Sequence, residues 1–268
     1  MQVRANGLTF NCRIEGTAGA PWVVLSHSIL TDLSMWDRQA RRLAPHFQVM
    51  RYDTRGHGDS EAPAAPYRME DLARDAVALM DALNIGQAHY VGLSLGGMTA
   101  IGLALDHADR LLSAAICDAR ADMPPEAGGV WDERIATVET AGTAALAEAT
   151  VQRWFLPASL AAEIPALDPV RRMIARTSPA GFIGCARALQ GLDYLPRLRE
   201  IRVPTLLLAG EQDGPIPELN RAMQAMIPAA RAAVIPGAGH IANLEQPEAF
   251  DDALFAFLDA VGEGSSRA

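Results

Sequence analysis

Short apolar runs alternate along the chain with longer stretches in which apolar residues recur every three or four positions. Runs of the first kind are typical of buried strands, and stretches of the second kind are typical of amphipathic helices. The runs predict eight strands, at residues 3–5, 9–14, 22–26, 48–52, 88–91, 112–117, 205–209 and 232–235. After the first two strands, helical stretches separate most of the others. We therefore predict an α/β fold with a mostly parallel eight-stranded sheet flanked by helices.

The strand signals stop in a long segment between the sixth and seventh predicted strands. Helical patterns replace them, at residues 131–140, 144–155, 170–176 and 182–189. Because this segment is too long for a simple connection, we predict a helical cap over residues 122–194, inserted into a core made of residues 1–121 and 195–262. Such a cap would lie over one edge of the sheet. The last residues, 263–268, are predicted to form a disordered tail.

A glycine-flanked serine follows the fifth predicted strand. Residues 92–96 read Gly-Leu-Ser-Leu-Gly and separate an apolar run from a helix-like stretch. In this GxSxG pattern the serine occupies a strained turn between strand and helix, and small flanking residues let the backbone pass closely. We therefore predict that Ser94 is a nucleophile and that a helix opens at Leu95.

A serine hydroxyl needs a base within hydrogen-bond reach and a third group that orients the base. In parallel sheets such residues gather beyond the carboxyl ends of the strands. Asp213 follows the seventh predicted strand in Gly-Glu-Gln-Asp, and His240 follows the eighth in Gly-Ala-Gly-His. The chain order serine, aspartate, histidine is the one that accompanies a GxSxG turn. We predict Ser94, Asp213 and His240 as a catalytic triad.

Other residues compete for the roles of acid and base. Glu211 lies two residues before Asp213, and Asp118 directly follows the sixth predicted strand, so either carboxylate is an alternative acid. His57 is an alternative base in the glycine-rich segment Asp-Thr-Arg-Gly-His-Gly that begins at Asp53. Turn-forming segments of this kind favour a structural role, and we interpret His57 and Asp53 as structural ties.

Two backbone amides are predicted to stabilise an oxyanion on the substrate. The first is the amide of Leu95, because it lies at the positive end of the helix that follows Ser94. The second should come from the loop after the third predicted strand, where the amide of Ile29 is the candidate. Ser28, in the same loop, occupies a position where glycine is common in enzymes with a GxSxG turn.

Composition and charge narrow the class of protein. The chain has 268 residues, half of them apolar, which suffices for one large domain with an insertion. A net charge of −9 argues against a nucleic-acid partner, and the absence of lysine excludes Schiff-base chemistry, a pyridoxal phosphate site and a Walker A lysine. Three dispersed cysteines and six histidines without HExxH spacing predict no disulfide framework and no metal site. We expect no cofactor.

Targeting and membrane signals are also missing from the sequence. No window approaches ~18 uninterrupted apolar residues, and the first residues lack the basic and then apolar organisation of a signal peptide. We therefore expect a cytoplasmic protein without a membrane partner. The sequence leaves the oligomeric state open.

With these residues in view, the chain resembles the α/β-hydrolase superfamily over nearly its whole length. The resemblance rests on four segments, GLSLGG, YDTRGHGDS, GEQD and GAGHIANLEQPEAF. Within the superfamily, SHSILTDLSMWD, DTRGHG and WDERI look like the 3-oxoadipate enol-lactonase branch. That branch hydrolyses a small lactone bearing a carboxylate. The resemblance implies that His240, oriented by Asp213, activates Ser94 to form an acyl-enzyme with a lactone or ester.

A carboxylate-bearing substrate would need a cation in the pocket. The predicted cap contains Arg134, Arg153 and Arg187, any of which is a candidate, and Arg134 is the first choice. Trp131 and Trp154 are the predicted pocket walls. The competing interpretation is that such arginines are solvated and paired along their own helices, and that Trp154 is a core residue joining cap to sheet.

Several other functions use the same triad. A general carboxylesterase, a different lactonase, a carbon–carbon bond hydrolase and a perhydrolase all remain alternatives, because the cap sets specificity and a sequence does not reveal its side-chain positions. Haloalkane dehalogenases and epoxide hydrolases that work through an ester intermediate require an aspartate as the nucleophile. Serine at position 94 therefore excludes both chemistries. A remote alternative from another class is a small-molecule receptor that binds without turnover.

Overall fold

The computed structural model describes residues 1–124, 128–228 and 230–265. Within these ranges the strands are β1 (Gln2–Ala5), β2 (Leu8–Gly16), β3 (Trp22–Ser26), β4 (Gln48–Tyr52), β5 (Ala88–Leu93), β6 (Leu111–Cys117), β7 (Thr205–Gly210) and β8 (Ala230–Ile235). They form one sheet in the order β1-β2-β4-β3-β5-β6-β7-β8. Strand β2 pairs antiparallel with β1 and β4, and the other neighbours pair parallel. The predicted mostly parallel eight-stranded sheet is confirmed.

Helices flank this sheet. In the described ranges the α-helices are α1 (Asp37–Leu43), α2 (Met69–Ala82), α3 (Leu95–Asp106), α4 (Gly128–Ala141), α5 (Ala147–Trp154), α6 (Pro157–Ala161), α7 (Leu167–Arg176), α8 (Pro179–Gln190), α9 (Ile216–Met226), α10 (Ala242–Glu245) and α11 (Pro247–Ser265). Short 3₁₀ helices cover Leu33–Trp36, Ala108–Arg110, Thr143–Leu146 and Leu195–Glu200. Among these helices none has the length and apolar character needed to cross a membrane.

The central strands are apolar because the sheet is covered on both faces. Every residue of β5 and of β7 is buried, as expected for parallel strands between two helical layers. Strand β8 is at the edge and is partly exposed. Since β5, β6, β7 and β8 are consecutive in the sheet and parallel, the segments that follow them emerge at the same edge.

Helices α4 to α8 lie between β6 and β7, and the chain enters and leaves this segment at adjacent points. Asp122 and Asp193 form an isolated antiparallel bridge, and the Tyr194 N–H donates to the Ala121 carbonyl oxygen at 2.7 Å. The predicted cap boundaries at residues 122 and 194 fall on this paired stem. We refer to α4 to α8 as the cap.

Two expectations about local structure need correction. The predicted helix over 144–155 is divided into a 3₁₀ turn over Thr143–Leu146 and α5. The prediction of a disordered tail is wrong as far as Ser265, because α11 continues to that residue and residues 266–268 lie outside the described ranges. The sequence of α11 contains no proline after Pro247, and each of its glycines costs the helix only about 1 kcal/mol, so the helix can continue through them.

Candidate active site

Ser94 lies in a strained turn between β5 and α3. Its φ of 56° and ψ of −112° place it in a region that residues with a side chain rarely adopt. The turn requires glycines on both sides. A Cβ on Gly92 would lie 2.0 Å from the Gly96 carbonyl oxygen, and a Cβ on Gly96 would lie 2.3 Å from the Ser26 carbonyl oxygen. Close packing against β3 and α3 therefore holds Ser94 in place.

The side chains of Ser94, His240 and Asp213 form a continuous hydrogen-bonded line. His240 Nε2 lies 3.0 Å from Ser94 Oγ, and His240 Nδ1 lies 2.8 Å from Asp213 Oδ2. An ionised carboxylate only accepts hydrogen bonds, so Nδ1 carries the proton and Nε2 is left to accept from the serine hydroxyl. The structure thus brings together the three residues predicted from sequence. This arrangement can transfer the hydroxyl proton to Nε2 as Ser94 attacks a carbonyl carbon.

Trp154, the last residue of α5, supports His240 from the cap. Its carbonyl oxygen accepts the backbone N–H of His240 at 2.8 Å, and its indole lies 5.8 Å from the imidazole of His240, centroid to centroid. Trp154 is fully buried and does not line the cavity above Ser94. The expectation that Trp154 forms a pocket wall is wrong, because its ring and backbone are both packed against the histidine.

Glu245 is a buried carboxylate that was not predicted from the sequence. Its Oε1 accepts the Leu156 N–H at 2.8 Å, and its Oε2 accepts the Gly239 N–H at 2.6 Å. It therefore joins the segment after α5 to the loop that carries His240. The only signal in the sequence was an acidic residue five positions after His240, and an isolated acidic residue of that kind is usually a solvated surface group.

The amides of Leu95 and Ile29 are available to bind an anion beside Ser94. Leu95 opens α3, where the first N–H groups have no acceptor within the helix. Ile29 lines the same cavity as Ser94. Over the described ranges, neither amide donates to a protein acceptor. The Gly96 N–H donates to the His27 carbonyl oxygen at 3.2 Å, so the two segments that carry these amides are directly joined.

The two alternative acids have other partners. Glu211 Oε2 accepts the Gly237 N–H at 3.0 Å. Asp118 is fully buried, and its Oδ1 accepts the Gly210 N–H at 2.7 Å. Burial, together with the negative charge of Asp213, raises the pKa of Asp118 well above its usual range. Burial thus disfavours the charged form of this carboxyl, which makes Asp118 a poor partner for a histidine cation.

Asp53 and His57 tie the loop after β4 to the loop after β3. Asp53 Oδ1 accepts the Leu33 N–H at 2.7 Å, and His57 Nε2 accepts the Leu30 N–H at 3.0 Å. Both side chains are buried. These contacts agree with the interpretation of both residues as structural ties, and they leave His57 Nε2 unavailable as a base.

A cavity of about 250 Å³ lies above Ser94 and His240. Core residues Ile29 and Ile216 and the cap residue Trp131 form part of its wall. Ligand pockets in proteins typically start at roughly 300 Å³, so this cavity suits a small molecule. The structure thus places Trp131 where it was predicted.

Two arginines of the cap line this cavity. Arg134 donates to Thr150 Oγ1 at 3.2 Å, and its guanidinium lies 4.9 Å from the centroid of the Trp131 ring. In the described part of the chain, no carboxylate lies within 4.0 Å of Arg134 or Arg153. Burial and the neighbouring Arg153 lower the pKa of Arg134 to about 9, so it stays charged at neutral pH. The cavity therefore holds a partly desolvated cation that has no counter-ion among the described residues.

The third cap arginine lies elsewhere. Arg187 pairs with Asp132 at 2.7 Å, where both side chains are exposed, and it does not line the cavity. Of the three candidates for binding a substrate carboxylate, the structure places Arg134 and Arg153 near Ser94.

The chain belongs to the α/β-hydrolase family, whose model, described as alpha/beta hydrolase fold, matches residues 21–247. It is 34% identical over 263 residues to 3-oxoadipate enol-lactonase 1 of Acinetobacter baylyi, and the match covers 97% of each chain. The crystal structure of the enol-lactonase from Burkholderia xenovorans LB400 superposes with a TM-score of 0.92 at 39% identity, covering 97% of this chain and 100% of that one.

An esterase is also similar to this chain. The structure of a thermophilic esterase from Thermogutta terrifontis has a TM-score of 0.91 at 29% identity, covering 97% of this chain and 98% of that one. Lactonases and esterases both cleave carboxylic esters, so the protein is a carboxylic ester hydrolase. The resemblance to the α/β-hydrolase superfamily and its enol-lactonase branch, predicted from short motifs, is confirmed by these full-length similarities.

Proposed function

We propose that this protein hydrolyses a small lactone that carries a carboxylate, with 3-oxoadipate enol-lactone as its foremost substrate. Ser94 forms the acyl-enzyme, His240 is the base and Asp213 orients it. The amides of Leu95 and Ile29 bind the oxyanion. Support comes from the hydrogen-bonded line of the three side chains, the two amides beside it that have no acceptor among the described residues, and the similarity to enol-lactonases.

The reaction proceeds in two halves. Nε2 of His240 takes the hydroxyl proton as Ser94 Oγ attacks the lactone carbonyl carbon, and the two amides stabilise the resulting oxyanion. The ring C–O bond then breaks, the departing enol oxygen receives the proton from His240, and the enol becomes the 3-oxo group. In the second half, His240 activates a water that attacks the acyl carbon and releases the acid from Ser94.

The observation that carries the substrate class is Arg134. A partly desolvated guanidinium without a carboxylate partner is costly unless a ligand supplies the negative charge. Arg153 also lines the cavity, but Asp213 contributes a favourable charge to it, whereas no carboxylate of the described residues contributes to the electrostatics of Arg134. An anionic substrate would relieve this imbalance and place its lactone ring toward Ser94.

Replacing Arg134 by methionine is expected to raise KM for 3-oxoadipate enol-lactone on the order of 10- to 100-fold, the value of a lost charge-assisted contact. A neutral lactone of similar size should lose much less, because it never made that contact. Steady-state kinetics on both substrates measure the difference.

The matched control is Arg187→Met, which removes an arginine of the same cap that pairs with Asp132 at the surface. Its kinetics should match those of the unmodified protein. Equal losses on the anionic and the neutral lactone in Arg134→Met would contradict the assignment of this arginine to the substrate carboxylate.

A general carboxylesterase is the second candidate function, supported by the similarity to the Thermogutta terrifontis esterase. A carboxylesterase would use the same triad, but its substrate would carry no negative charge to pair with the arginines that line the cavity. Relative kcat/KM values for simple esters and for the anionic lactone separate the two functions. Failure of a fluorophosphonate probe to label Ser94 would instead favour a receptor without turnover.

A further inference from the structure

Reciprocal hydrogen bonds join the loop that carries Ile29 to the loop after β4. Each loop supplies an imidazole that accepts a backbone N–H from the other. His57 Nε2 accepts the Leu30 N–H at 3.0 Å, and His27 Nε2 accepts the Thr54 N–H at 2.8 Å. The two rings lie 5.3 Å apart, centroid to centroid. The loops are therefore held together by a pair of histidines at their centre.

The hydrogen bonds of these two histidines determine which ring nitrogen carries the proton. Because each Nε2 accepts an N–H, each Nδ1 carries the proton, and the nearby acceptors are the carbonyl oxygens of Ser28 at 2.7 Å and Arg55 at 3.1 Å. Both rings are fully buried. Burial and the neighbouring His27 lower the pKa of His57 to about 3, so the acceptor stays neutral at ordinary pH.

The contact with His57 lies next to a strained residue and an unpaired amide. Leu30 has a φ of 65°, a left-handed conformation that costs a non-glycine residue on the order of 1 kcal/mol and persists only when its surroundings hold it. The preceding residue is Ile29, whose N–H has no acceptor in the described ranges. The peptide units that contain these two N–H groups share the Ile29 Cα, so a hydrogen bond that fixes the Leu30 N–H restricts the orientation of the Ile29 amide.

We propose that His57 is a positioning residue which, together with His27, holds the Ile29 amide where it binds the oxyanion formed at Ser94. The proposal rests on the proposed function, since it assumes an acyl-transfer reaction at Ser94. His57 itself does not line the cavity, and the hydrogen bond of Ser94 Oγ is to His240. Its effect is exerted through Leu30.

The test compares His57→Phe with His57→Gln. Phenylalanine keeps an aromatic ring but leaves the Leu30 N–H without an acceptor, whereas the glutamine amide can accept that N–H and donate to the Arg55 carbonyl oxygen. With p-nitrophenyl acetate, kcat of His57→Phe should fall on the order of 10- to 100-fold, less than the loss of an entire oxyanion donor. KM should change less than about threefold, since the ground-state ester uses the oxyanion site weakly. His57→Gln should recover most of kcat.

A second readout reports the oxyanion site directly. A short trifluoromethyl ketone, 1,1,1-trifluorobutan-2-one, adds to an active-site serine as a hemiketal whose oxyanion needs the same amides. Its affinity should fall in His57→Phe by the same factor as kcat/KM. A purely structural role would lower the melting temperature and leave this affinity unchanged in the folded fraction.

The matched control is His89→Phe. His89 is also buried, its Nδ1 is hydrogen-bonded to Ser113 Oγ at 2.8 Å, and burial lowers its pKa to about 4, but it lies at the far end of β5 from Ser94. Its kcat and its ketone affinity should match the unmodified protein even if it melts earlier. If His57→Phe does not fold, His57→Asn replaces it, because that amide is too short to reach the Leu30 N–H.

Two results would overturn the proposal. One is unchanged kcat and ketone affinity in the His57 variant, and the other is equal losses in the His57 and His89 variants. Failure of the acyl transfer at Ser94 that the proposal assumes looks different, because the unmodified protein would then turn over p-nitrophenyl acetate no faster than Ser94→Ala. Turnover that depends on Ser94 but not on His57 rejects the positioning role alone.

Discussion

Ser94→Ala is expected to lower kcat for every ester or lactone substrate by about 10⁵- to 10⁶-fold, as in other enzymes whose nucleophile is removed from a triad. The reason is that no other hydroxyl is held 3.0 Å from His240 Nε2 in the described part of the chain. The remaining rate should come from the two amides and the cavity, which would still bind substrate. KM should therefore change much less than kcat.

Burst kinetics and labelling check this prediction. The unmodified protein should bind one equivalent of a fluorophosphonate at Ser94, and the variant should bind none. Ser113→Ala is the control, because it removes a buried hydroxyl of β6 that is hydrogen-bonded to His89, away from the cavity. Substantial turnover by Ser94→Ala would mean that another group forms the covalent bond or that water attacks directly.

Asp213→Asn is expected to lower kcat by about 10⁴-fold while the fold is retained. The asparagine amide can take the place of the carboxylate beside His240 Nδ1, but it can also donate, which favours the tautomer with the proton on Nε2. That tautomer cannot accept the proton of Ser94. The loss of negative charge also removes the stabilisation of the histidine cation that forms during attack.

The neighbouring acid Glu211 supplies the control for this variant. Glu211→Gln keeps an acceptor for the Gly237 N–H and should retain full activity. The rates of both variants should be measured on one substrate at one pH, with the circular dichroism of each compared to the unmodified protein. A larger loss in Glu211→Gln than in Asp213→Asn would identify Glu211 as the acid and reject that role for Asp213.

The sequence predicted those parts of the site that depend on local structure. Ser94, Asp213 and His240 each follow a strand within a few residues, and parallel strands in one sheet deliver such residues to one edge. The role of the glycines beside Ser94 could also be predicted from their spacing, since only small residues permit the turn that Ser94 occupies. A predicted nucleophile, acid and base could therefore be placed together without knowing the cap.

The sequence could not predict how the cap meets the core. Trp154 and Trp131 have equally helical surroundings, yet one packs behind His240 and the other lines the cavity. Arg187 and Arg134 differ in the same way, because the exposed Asp132 neutralises only the first. Such differences depend on the direction in which each cap helix faces, and tertiary packing decides that direction.

Glu245 illustrates a further limit. Its carboxylate binds two backbone N–H groups, one in the segment after α5 and one beside His240, across a distance of 89 residues along the chain for the first. Nothing in the spacing of acidic residues indicates such a partner. Buried carboxylates that satisfy backbone donors become visible only when the two segments are seen together.

The most direct test of the proposed function is a comparison of kcat/KM for 3-oxoadipate enol-lactone with kcat/KM for p-nitrophenyl acetate and for neutral γ- and δ-lactones, with Ser94→Ala as the blank. The charge in the cavity predicts that the anionic enol-lactone is preferred by orders of magnitude. It also predicts that Arg134→Met removes much of this preference. Equal or faster turnover of the neutral lactones or the simple ester would contradict the proposed substrate class and leave a hydrolase of broader specificity.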